Sequence, residues 1–183
     1  MKPAQESGAK KCPGCGGLFP DIEGPTHRYM VASPGCWAAF GEVLEREYGD
    51  PKLQEVHRLS VDAYAAQHPG TRSRQSIQSV GLHLVRLYLQ LEGGLSTQKA
   101  NDAMLVLGRH KQGLCWLEPP ASLGEVTVAD VVHCRGLEEH RTAVRAWARS
   151  VLAAWSAHRP TVERWAEKWL ASKANNDVGN AGE

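Results

Sequence analysis

Apolar residues recur every three or four positions over most of the chain beyond residue 35, whereas the first 35 residues show no such period. Ile77, Val80, Leu84, Leu87 and Leu91 share one helical face, which predicts a strongly apolar helix from Ser76 to Leu91 at the centre of the core. Leu53, Val56, Val61 and Tyr64 predict a second helix from Pro51 to His68. Asp50-Pro51 would supply its N-cap and first-turn proline, and His68-Pro69-Gly70 its stop. Val144, Trp147, Val151 and Trp155 predict a third, from Leu137 to His158, ended by Pro160. Shorter helices are expected from Cys36 to Tyr48, from the Ser96 cap to Arg109, and from Val162 to Ala171. Thr127 with Asp130 resembles a capping box that opens a brief helical turn. No alternating pattern predicts a strand; a short hairpin has room only within 12–35 or 115–128.

These elements predict a mainly α protein, a bundle of about five to six helices behind an irregular N-terminal zinc-knuckle segment. Residues 1–11 read as a mobile tail, 12–172 as a single helical domain with the knuckle segment at 12–36, and 173–183 as a polar tail. A 24-residue stretch without apolar period, 12–35, needs something besides its own packing to order it.

Composition narrows the function classes. The formal net charge of +1 provides no basic field for nucleic acid or an anionic membrane. No run of 18 apolar residues exists to span a bilayer, and Met1 to Lys11 has no apolar core of a secretory signal. Five cysteines, an odd number without such a signal, favour thiolate chemistry in the cytoplasm over a disulfide framework. Six tryptophans, mostly late in the chain, read as core anchors.

Cys12-Pro13-Gly14-Cys15-Gly16-Gly17 carries the most specific chemistry. Two thiolates two residues apart can share one ion, and the proline and glycines permit the tight turn between them. Cys36, at a predicted helix start where the dipole favours a thiolate, is the expected third ligand. His27 is the first candidate for the fourth, with His83, Cys115 and Cys134 as alternatives. The same Cys-x-x-Cys could be a redox dithiol, but it lacks the preceding strand and βαβ context of thioredoxin-like motifs.

A second constellation lies on the predicted 51–68 helix. His57, Tyr64 and His68 fall on one narrow stripe, and Asp62 projects away from it. His83, on the following helix, could approach them if the two helices run antiparallel. A His-lined site between these helices would suit a metal-dependent hydrolase or group transferase, with His57 and His68 as ligands or acid–base groups and Asp62 orienting them. Each of these histidines also has a plain structural reading. His110 and His158 sit at expected helix C-termini, and His140 in a first turn, where a cation is disfavoured. The competing readings are a non-catalytic binding or regulatory module with a purely structural zinc, and a redox sensor through Cys12 and Cys15. The partner would be a small-molecule substrate or a protein.

Taken as a set, CPGCG, GPTHRY, SPGCWAAFG, VHRLSVDAYAAQHPG and SIQSVGLHLVRL resemble an uncharacterised bacterial family of unknown function, over about Cys12 to Trp169. The resemblance brings no activity. It implies that Cys12, Cys15, His27, Cys36, His57, Asp62, Gln67, His68 and His83 belong to one constellation.

Overall fold

The computed structural model describes residues 8–109 and 111–179, with side chains as far as Trp169. Among them are seven α-helices and one small antiparallel sheet: β1 (Ala9–Lys11), β2 (Leu18–Pro20), α1 (Pro34–Gly49), α2 (Gln54–Gln67), α3 (Arg74–Leu91), α4 (Thr97–Arg109), α5 (Val128–Val132), α6 (Leu137–Ala154) and α7 (Arg159–Gly179). The mainly α expectation holds. His110 falls outside the described residues.

The apolar stripes fold as their period requires. Val80, Leu84 and Leu87 of α3 are buried against a centre that also holds Val56 and Tyr64 of α2 and Val144, Trp147 and Val151 of α6. α2 packs between α3 and α6, α1 lies against α5, and α3 also carries α4 and α7. Helix starts follow local chemistry. Ser33 Oγ accepts from Cys36 N–H at 3.2 Å, with Pro34 in the first turn of α1. Ser73 Oγ accepts from Ser76 N–H at 3.1 Å to open α3. Thr127 and Asp130 form the full capping box of α5.

Several boundaries differ from the sequence reading. Ala9–Lys11, placed there in the N-terminal tail, pair with Leu18–Pro20, with Lys10 opposite Phe19. Three-residue strands are too short for alternation to register in sequence; only the burial of Phe19 beside the exposed Leu18 betrays it. Asp50 caps a 3₁₀ turn at Pro51–Leu53, and α2 proper begins at Gln54. α6 stops at Ala154, four residues early, and a 3₁₀ turn at Ser156–His158 links it to α7. Pro160 is not a stop but lies in the first turn of α7, where its missing N–H costs nothing. That helix continues to Gly179, beyond the expected Ala171.

Candidate metal centre

The hairpin presents its cysteines at the turn. Cys12 follows β1 directly, and two backbone bonds close the loop: Cys12 N–H to Gly17 O at 2.8 Å, and Gly16 N–H to Cys12 O at 3.0 Å. Gly16 adopts φ of +75°, a conformation glycine reaches without strain. At Gly14 the requirement is space. A Cβ there would lie 2.2 Å from Val31 O and 2.4 Å from His68 Cδ2. Cys36 comes from the first turn of α1. Gly35 beside it lets β2 approach, since a Cβ would sit 2.3 Å from Pro20 O.

The fourth group is His68, the C-cap of α2. Cys12, Cys15, Cys36 and His68 offer ligand atoms all within 4.8 Å of one another, and the four could hold a metal ion. Cys15 Sγ is 3.8 Å from Cys36 Sγ, and His68 Nε2 lies 3.6 Å from Cys12 Sγ and 3.4 Å from Cys36 Sγ. No disulfide joins these cysteines, all of which are free. His68 Nδ1–H donates to Tyr64 O at 2.7 Å, so Nε2 turns its lone pair toward the sulfurs. The end of α2 that carries His68 is anchored from outside. Gln67 donates to Leu123 O and Val126 O and accepts from Trp147 Nε1–H, while Trp155 Nε1–H donates to Ala66 O.

The three thiols are electrostatically coupled to one another. The Cys12 thiol is drawn far below its ordinary range, first by hydrogen bonds from Cys15 and Cys36. Cys15 is pushed up to about 12, first because its hydrogen is held by Cys12. Cys36 is raised by its hydrogen bonds to Cys12 and Cys15, and by burial. One thiolate thus suppresses the ionisation of the other two, the arrangement a cation would relieve. Ser33 N–H points at Cys12 Sγ at 3.5 Å, and Tyr64 Oη lies 3.6 Å from Cys36 Sγ. Burial pushes the Tyr64 phenol up, which keeps it a donor. The Tyr64 ring stacks on His68 on one side and on Phe40 on the other, at 4.0 and 3.8 Å.

The other residues singled out from the sequence go elsewhere. His27 packs edge-on to Tyr29 and near Trp37, and accepts from Tyr29 N–H, apart from the four-residue cluster. His83 Nδ1 bonds Asp62 Oδ1 at 2.7 Å, and Arg86 faces the other carboxylate oxygen at 3.3 Å. Cys115 is exposed, and Cys134 donates to Asp130 O. His57 bonds Glu47, a carboxylate with no exposed surface on α1. His140 Nε2 and Ser60 Oγ bond the other oxygen of Glu47, at 2.9 and 2.5 Å, and Arg46 donates to His140 Nδ1. His57, His68 and His83 therefore serve three separate groups and do not assemble into a shared site. Glu47 was missed in the sequence, yet it continues the buried series Cys36, Phe40, Val43 on α1. A carboxylate on an apolar stripe is the signal that could have found it.

Residues 10–156 match the family model described as a family of unknown function (DUF5946). No curated protein and no solved structure matches the chain.

Proposed function

The chain belongs to the DUF5946 family, whose function is unknown; we propose that it is a helical binding protein stapled by one structural zinc ion on Cys12, Cys15, Cys36 and His68. The orientation of His68 carries the reading. Its Nδ1 is committed to Tyr64 O, so its Nε2 faces two sulfurs as a ligand nitrogen would. Distances agree. A tetrahedral zinc with Zn–S of about 2.3 Å and Zn–N of about 2.0 Å sets sulfurs about 3.8 Å apart and nitrogen about 3.5 Å from sulfur. Three soft thiolates and one imidazole suit zinc better than magnesium or calcium. Four protein donors, none more than 7% exposed, leave no open position for a substrate.

The test is metal content of the purified protein under reducing conditions. Wild type should carry one zinc per chain. Cys36→Ser and His68→Ala should lose it, whereas His27→Ala and His83→Ala keep it. Wild-type protein without metal would sink the proposal, and loss in His83→Ala would move the site.

One observation favours a second reading, group transfer to a metal-bound thiolate. Of the four ligands only Cys15 is among the described residues that line a groove of 560 Å³, opposite Thr127 and Asp130. There its sulfur could attack an alkyl electrophile, forming S–C as the bond to the leaving group breaks and that group departs with the electron pair. Iodoacetamide on the zinc-loaded protein, read by peptide mass, should then modify Cys15 ahead of Cys12 and Cys36. Equal protection of all three removes this reading.

A further inference from the structure

We infer that a groove between α4 and α7 binds a small amphipathic carboxylate, an anionic head on an aliphatic or aromatic body. The hollow measures about 410 Å³, within the range of small-molecule sites, and shares no residue with the metal cluster. Leu107 of α4, Leu114, and Trp165 and Trp169 of α7 supply its apolar walls. The core holds them in place. Gly81 of α3 lets Leu114 and Trp165 close in, for a Cβ there would sit 3.1 Å from Leu114 and 3.4 Å from Trp165. Gln112 and Lys168 are the polar side chains of its lining.

Charge decides the ligand class. A neighbouring groove of 350 Å³ shares Gln112 and Leu114 and adds Arg74 and Lys111. Among the described residues no carboxylate lines either groove. None of Lys168, Lys111 and Arg74 has an ion-pair partner there either. In a chain with 21 basic and 20 acidic residues, one uncompensated cation in this hollow and two more in the groove beside it form a local excess. It complements an anion, and the tryptophan walls complement that anion's apolar body.

Decanoate is the probe, with decan-1-ol as its neutral match, titrated into the full-length, metal-containing protein below micelle-forming concentration. Binding is read by calorimetry and by tryptophan fluorescence. Decanoate should bind saturably, one per chain, and more tightly than decan-1-ol. Lys168→Met should weaken decanoate by about fivefold, the scale of one partly exposed ion pair, and leave decan-1-ol unchanged. Lys168 is exposed, so the variant should melt like wild type, and that is checked first. Absence of saturable decanoate binding, equal affinity for the alcohol, or an unaltered Lys168→Met would each overturn the assignment. So would an amphipathic helical peptide that occupies the groove when decanoate does not.

Discussion

Gly14 shows how a single hydrogen in place of a methyl group admits a ligand. His68 Cδ2 and Val31 O already fill the space its Cβ would take. Gly14→Ala must push the knuckle loop or the imidazole away, and overpacking of this kind costs about 1–3 kcal/mol. The variant should melt lower than wild type and, on the proposed function, yield zinc to a chelator at lower concentration. If both measurements match wild type, the turn is looser than its contacts indicate. The three cysteines were legible in the sequence, because a tight Cys-x-x-Cys turn and a cysteine in a first helical turn are local features. His68 as their partner was not legible from spacing; only the family resemblance grouped it with them, among eight other residues. Spacing put it on one stripe with His57 and Tyr64, and its ring does stack on Tyr64, but its role depends on where α2 ends relative to the hairpin. Only the Gln67 and Trp155 anchors settle that, from residues about 56 to 89 positions away.

At the scale of elements, α1 and α6 are joined by a buried polar side chain. Glu47 reaches across to His140 while holding His57 and Ser60 of α2, so one carboxylate locks three helices. Glu47→Ala would leave two imidazoles and a hydroxyl without their acceptor and should cost about 3–5 kcal/mol. Chemical denaturation reads that loss, and the fraction that remains folded should keep its metal, since none of the four ligands touches Glu47. Metal loss in parallel with stability would show the two groups to be coupled. The start of α6 depends on another acid. Glu139 accepts from Arg135 N–H at 2.9 Å and Gly136 N–H at 3.3 Å, and these bonds hold its carboxyl below the usual range. A depressed carboxylate stabilises the fold above its unfolded value of about 4.5, and that contribution fades as pH falls through the folded value. Glu139→Gln should therefore melt below wild type at pH 7 and converge with it once the pH has fallen below the folded value; a gap that persists in acid would assign the cap a different origin. Helix existence was legible from period alone, but this cap and the 3₁₀ breaks at Pro51 and Ser156 were not. Each depends on backbone angles that the apolar pattern does not encode.

Across the whole molecule the apolar core and the metal cluster make separate claims on stability. Leu84, Leu87, Trp147, Val151 and, just past the end of α6, Trp155 are essentially fully buried among α2, α3 and α6, and α3 and α6 carry none of the three clustered cysteines. The hairpin is the opposite case. Phe19 is its one buried side chain besides Cys12 and Cys15, and its paired strands span three residues each. Two short strands have little independent stability in water, so on the proposed function the metal supplies most of what fastens residues 9–20 to α1 and α2. Chelation should then act regionally. Hydrogen exchange after removal of the proposed zinc should lose protection in β1, β2 and the first turn of α1, while the interiors of α3 and α6 stay protected. The melting midpoint should fall, because Cys36 and His68 couple the two parts through α1 and the end of α2. Protection lost everywhere at once would make the ion the keystone of the entire bundle. Protection kept in the hairpin would mean that Phe19 and the strand bonds suffice, and a structural zinc would then have nothing left to hold.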